Sequence, residues 1–208
     1  MNVLVAHLEL SEETDGKSRE RCPDVVFSCD GLEVARMRTD IERPQLPFES
    51  NSVDCVDLYD DALSRAIDEE AWLGELTRIL SDNGTIRFTL PMSGALAWLD
   101  VMNMHRYAVD IGKRGTQPNA ARPTGWNRHY SRSDIVSLCE VAGLVVTDLR
   151  SSSHVLDELR MTAGLFVDNW LRGDETAEQR LFPRFGRRSP DAKSAPLGTT
   201  WIVTAEKA

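Results

Sequence analysis

No stretch of this chain is apolar for anything near the ~20 residues that a helix needs to cross a bilayer, so membrane spanning is not expected. The first residues lack a basic segment followed by an apolar one, and no secretory signal is expected from them. Cysteine is sparse, and Cys22, Cys29, Cys55 and Cys139 show neither CxxC nor Cys/His ligand spacing. Cys55 falls inside an apolar run, so reduced structural thiols, no bound metal and a cytoplasmic setting are expected. Positive charge is in deficit. A net charge of −9 argues against general nucleic-acid binding, because phosphate neutralisation supplies most of that affinity. Internal repeats and a compositional break are also lacking. The 208 residues are long enough for one sizeable core, and 1–208 reads as a single domain with loops at 113–127 and 173–197.

The most informative stretch runs from Leu46 to Pro91. Val53, Cys55, Val56 and Leu58 form a short apolar run bounded by polar residues, as in a strand covered on both faces. Asp68 is placed to cap a helix whose first turn holds Glu69 and Glu70. Trp72, Leu73, Leu76, Ile79 and Leu80 then recur on one helical face. Asn83-Gly84 reads as the stop, and a second strand ends at Pro91. Strand, helix and strand in this order make a right-handed crossover between parallel strands.

The wording LPF-x-x-x-S-V-D-x-V, followed by a helix ending E-L-x-R-I-L-x-x-x-G and a strand closing in Pro, resembles the central block of class I S-adenosylmethionine-dependent methyltransferases. A second segment, Tyr130-Ser131 through Ala142-Gly143-Leu144, resembles that family's later helix and strand. Ser131 or Ser133 is its cap and Gly143 its end. The resemblance implies an α/β three-layer sandwich around a mostly parallel sheet of seven or slightly fewer strands, Rossmann-like. Its last strand, Thr199 to Glu206, would be antiparallel beside the strand that begins at Leu144. Further strands are expected at Asn2–Leu8, Asp24–Asp30 and Val34–Ile41, and helices at Gly94–Gly112 and Ser153–Arg172.

The family also implies S-adenosylmethionine as cofactor, and certain positions here would meet it. After the first strand the family has a glycine-rich loop that lets the backbone approach the donor. This chain has His7, Leu8, Glu9 and Leu10 there, and no glycine before Gly16. Either the cofactor is not bound in the usual way or the loop is rebuilt for it or for another ligand, and the bulk and charge of these residues favour the first. Asp30, beside Gly31, stands where the family's acid holds both ribose hydroxyls, and it reads equally as a turn Asp before a glycine. Asp40 and Ile41 resemble the pair that meets the adenine.

Asp57 and Tyr59 lie at the carboxyl end of the next strand, where ligands bind in open α/β sheets, followed by Asp60 and Asp61. Such crowding of carboxylates leads either to raised pKa values or a cation site, or simply to a solvated acidic loop. Arg180, Arg184, Arg187, Arg188 and Lys193 form either a site for an anionic substrate or partner or a solvated excursion.

Two functions follow from the resemblance. One is methyl transfer to a small molecule or sugar intermediate, where the protein chiefly aligns the nucleophile, with a base drawn from His105, His129 or Tyr130. The other is a methyltransferase-like subunit without the cofactor loop, serving as an interaction or regulatory partner in a homodimer or hetero-oligomer. The same fold reused for another reaction is a third, since fold alone does not choose among functions.

Overall fold

The computed structural model describes residues 3–9, 24–39, 41–97, 100, 128–174, 176–195 and 198–208. Seven strands form one mixed sheet: β1 Val3–Glu9, β2 Asp24–Cys29, β3 Leu32–Arg38, β4 Val53–Leu58, β5 Leu80–Pro91, β6 Leu144–Ser152 and β7 Thr200–Lys207. Their order across the sheet is β3-β2-β1-β4-β5-β7-β6. β1, β4 and β5 pair in parallel, while β7 lies antiparallel between β5 and β6. The expected last-strand arrangement is therefore present. β2 runs against both β1 and β3, so five strands point one way and β2 and β7 the other.

The β4–β5 crossover forms as its residues dictate. α1, Glu69–Ile79, is capped by Asp68, whose Oδ1 accepts from Ala71 N at 2.9 Å. It buries Trp72, Leu73, Leu76 and Ile79. Its end differs from expectation. The chain turns extended at Leu80, three residues before Asn83, because Leu80 is fully buried and already pairs with Val53 of β4. Asn83-Gly84 instead sits in the irregularity where the register jumps from Leu80 to Thr85. A Cβ on Gly84 would lie 2.9 Å from the carbonyl oxygen of Ser81, so it is close approach rather than a helix stop that requires glycine there.

α2, Arg132–Val141, begins with a capping box: Asp134 N donates to Ser131 Oγ and Ser131 N to Asp134 Oδ2. Gly143, at φ +75°, follows the helix as expected. Both helix starts, at Asp68 and at Ser131, thus form where the local chemistry indicates.

Side chains alternate across the sheet, and two adjacent rows show how differently its faces are used. Ala35, Phe27, Ala6, Leu58, Phe88, Val203 and Leu149 are neighbours in one row across all seven strands, and its middle is fully buried. Phe27 stacks on Trp72 of α1 with ring centres 6.5 Å apart. The next row, of opposite orientation, reads Glu33, Ser28, Val5, Asp57, Arg87, Thr204 and Asp148. One face carries the core and the other a polar stripe.

Between β6 and β7 the chain makes a long excursion holding α3, Val155–Leu165, which continues through 166–171, and α4, Ala177–Leu181, followed by a further turn to Gly186. The helix expected near 153–172 is present. The stretch 173–197, expected as a loop, carries a helix instead. Ala177, Leu181 and Phe182 are buried there with Met161 and Leu165, an apolar spacing concealed by the arginines between them. The loop expected at 113–127 and nearly all of the helix at 94–112 lie outside the described residues. Among the described residues no helix is long and apolar enough to cross a membrane.

Candidate functional site

The parallel strands β1, β4 and β5 end on one edge, and the order reverses between β1 and β4, so a crevice belongs there. The end of β1 supplies His7 and the end of β4 supplies Tyr59, Asp60 and Asp61. Tyr59 N donates to Ala6 O at 2.9 Å, and the His7 and Tyr59 rings lie 4.6 Å apart. Asp60 and Asp61 follow with φ of +63° and +55°. Two consecutive left-handed residues without glycine are strained, and carboxyl side chains tolerate this better than most because they bond locally.

Neither aspartate is in a solvated loop. Asp60 is buried beneath the 182–188 segment. Its N–H donates to Arg188 O at 2.8 Å, its Oδ1 accepts from Arg188 N at 2.9 Å, and its Oδ2 is paired with the Arg187 guanidinium. His7 Nδ1 lies 3.8 Å from the same oxygen. Arg188 in turn forms a buried ion pair with Glu158 of α3. Three members of the basic cluster read in the sequence are thus in ion pairs within the chain, Arg187 and Arg188 as described and Arg180 with Asp168 and Asp174. The Asp60 and Arg187 pair is separated by 127 residues, too far in sequence to be matched by inspection.

Asp61 behaves differently. Its N–H donates to Thr89 Oγ1 at 3.1 Å, but its Oδ1 is buried without a hydrogen-bond partner. Burial pushes its carboxyl up to about 6, against the pull of Arg188, the Thr89 hydroxyl and Arg65, while Asp100 raises it further. It lines a cavity of about 30 Å³ over the ends of β4, β5 and β7, shared with Arg65, Asp100, His129, Glu158 and Thr200. His129 Nε2 is buried there, 3.3 Å from Asp100 Oδ2 but without hydrogen-bond geometry. Close by, burial and Arg188 hold the His154 imidazole down at about 4, against Asp157.

The remaining expected site residues fall as follows. Asp30 and Gly31, with φ of +51° and +79°, are the two-residue turn of the β2–β3 hairpin. Because Cys29 pairs with Leu4 at the start of β1, this turn lies at the opposite edge from Tyr59, which corrects the ribose placement. Glu9 is an exposed partner of Arg36 at 2.9 Å, in a surface group with Asp24 and Glu33, not a lining of the crevice. Asp57 is held two-pronged by Arg87 at 2.7 and 2.5 Å on the polar face, and Arg87 reaches Asp191 at 2.7 Å. The Tyr59 hydroxyl also meets Asp191, at 3.4 Å.

Ile41 accepts from Trp72 Nε1 through its carbonyl, at the start of α1. Asp40 and His105 lie outside the described residues. Tyr130 is a core residue whose backbone fastens the end of β5: its N–H donates to Pro91 O, and its carbonyl accepts from Ser93 N and Trp201 Nε1. Of the three candidate bases, His129 reaches the cavity.

Asp30 thus lies at the far edge, while the edge at the ends of β1 and β4 carries His7, Tyr59 and the Asp60–Arg187 pair; residues 10–23, which follow β1, lie outside the described residues. Among the described residues no group of three His, Cys, Asp or Glu side chains is arranged to hold a metal.

No family model and no curated protein sequence matches the chain. Solved structures do. A methyltransferase of Haloferax volcanii, in complex with the Trm112 methyltransferase activator, aligns over 80% of this chain and 58% of its own at 19% identity and TM-score 0.41. A SAM-dependent methyltransferase of Thermotoga maritima aligns over 79% and 60% at 15% identity and 0.42. The [4+2]-cyclase SpnF aligns over 78% and 52% at 13% identity and 0.42. The chain thus spans only a little over half the length of these structures. With seven strands ordered β3-β2-β1-β4-β5-β7-β6, parallel at β1, β4 and β5 and antiparallel at β2 and β7, the chain has a Rossmann-like α/β fold.

Proposed function

We propose that this chain is a methyltransferase-like subunit that does not carry S-adenosylmethionine in the usual crevice and acts through a protein partner. One observation carries the reading: the crevice between β1 and β4 is spanned by the chain itself, with Asp60 tied by backbone and side chain to Arg187 and Arg188. A nucleoside entering there would have to displace the Arg187 guanidinium from the fully buried Asp60 carboxylate, a cost to be met before any contact is gained.

Thermal melts with S-adenosylmethionine and S-adenosylhomocysteine test this. At 1 mM, a ligand of ~10 μM Kd stabilises by ~2.7 kcal/mol, which raises Tm by ~5 °C or more in a protein of this size. The expected result is no rise with either compound; such a rise refutes the reading.

The cavity beside Asp61 supports a second reading, methyl transfer to a small molecule with His129 as the base on the substrate side. It requires the donor to bind and so shares the same titration, with opposite outcome. His129→Ala would then abolish turnover while leaving the donor-induced rise in Tm intact.

A further inference from the structure

The cavity over β4, β5 and β7 has chemistry of its own. Asp61 forms its floor, is 6% exposed, and leaves Oδ1 without a hydrogen-bond partner. Its neighbouring acids are already matched: Asp60 by Arg187, Glu158 by Arg188, while Asp100 faces His129. Arg188 and Arg65 are the cations nearest Asp61, and neither removes its orphaned oxygen. A buried carboxylate oxygen in this state demands a donor. Two neighbouring left-handed residues, Asp60 and Asp61, fix the turn that sets Asp61 in the lining of the cavity.

We propose that this cavity binds the ammonium group of a small amine, with the Asp61 carboxylate as its anchor. With Asp60 matched by Arg187 and Glu158 by Arg188, the lining sets Asp61 and Asp100 against Arg65 and His129, and the orphaned Asp61 oxygen, which only accepts, selects a ligand that donates. The volume, about 30 Å³, selects the size: one or two water-sized groups fit, which suits a primary ammonium head and excludes a quaternary one. The site takes no residue from β1, so it stands whether or not the methyl donor binds, and the two titrations fail independently.

Methylammonium chloride is the probe, measured by thermal melts against sodium chloride at equal ionic strength. Two non-hydrogen atoms at the ceiling of ligand efficiency allow a Kd on the order of 10 mM. At 100 mM, ten times that Kd, Tm should then rise by ~3 °C at pH 7.5. At pH 5, where Asp61 carries its proton, the rise should disappear, with Asp60, Asp100, Glu158, Arg65, Arg188 and His129 the other charged or titrating groups that face the cavity.

Asp61→Asn should show no rise at either pH. Tetramethylammonium, which has no N–H and is too large, should leave wild type unmoved. Equal responses of wild type and Asp61→Asn, or equal responses to the two ammonium ions, overturn the proposal, as does no response to methylammonium at pH 7.5. Should Asp61→Asn fail to fold, Ala97→Leu fills the same cavity with the carboxylate intact. A methylammonium response that survives this filling refutes the site.

Discussion

Asp61→Asn should make this protein more stable at neutral pH, and the size of the effect follows from the burial of the carboxyl. The side chain keeps its shape and loses its charge. In the unfolded chain the carboxyl titrates at its ordinary 3.8, and in the folded chain at about 6. Because the folded value is the higher, the folded state holds the proton more tightly. Ionised Asp61 therefore opposes folding fully above pH 6, and the opposition disappears as pH falls below 3.8.

The difference between 3.8 and 6 corresponds to roughly 3 kcal/mol, at 1.36 kcal/mol per pH unit. Urea unfolding of both proteins from pH 4 to pH 8 should show the Asn variant ahead by up to ~3 kcal/mol at pH 7 and above. Its lead should narrow by ~1.4 kcal/mol per pH unit between 6 and 4. The wild-type curve alone is not diagnostic, because His154 works in the other direction. Its imidazole is held down at about 4, so stability from that residue is lost as pH falls from 6.5 towards 4. Only the difference between the two proteins isolates Asp61. A difference that is constant with pH, or an Asn variant less stable at pH 8 than wild type, refutes the assignment of a strained, unpaired carboxylate.

Glu158→Ala leaves the buried Arg188 guanidinium without its counter-ion, and chemical denaturation should register a loss of ~3–5 kcal/mol. Gly31→Val places a β-branched residue at φ +79° in the hairpin turn, with a loss of ~1–2 kcal/mol in the same assay. If Gly31 served a ligand at the opposite edge, that loss would be joined by a loss of ligand-induced stabilisation; none is expected.

What the sequence made legible is what is settled within a few residues. Asp68 and Ser131 announce their helices because a cap acts on N–H groups two or three positions on, and Gly143 ends α2 by its own backbone freedom. The β4–α1–β5 crossover is equally local. Asp30-Gly31 was read two ways, and the direction of β2 decides between them. That direction is fixed by the pairing of Leu4 with Cys29, a contact with no trace in the neighbouring residues. Gly84 has the composition of a helix stop, but burial of Leu80 against β4 ends the helix earlier. At the candidate site the gap is widest. The run Tyr59-Asp60-Asp61 is visible as acidic, but its arginines arrive 127 and 128 residues later, so its burial and the isolation of Asp61 are properties of the folded edge alone.

Among the described residues, β6 joins the remainder of the sheet only through β7, the last of the seven strands to be synthesised. During translation two hydrogen-bonding edges, one on β5 and one on β6, stand open until residues 200–207 leave the ribosome and slot between them. Until residues 200–207 are in place these two open edges can pair with other chains, so the interval between the synthesis of β6 and that of β7 is the one in which aggregation is favoured.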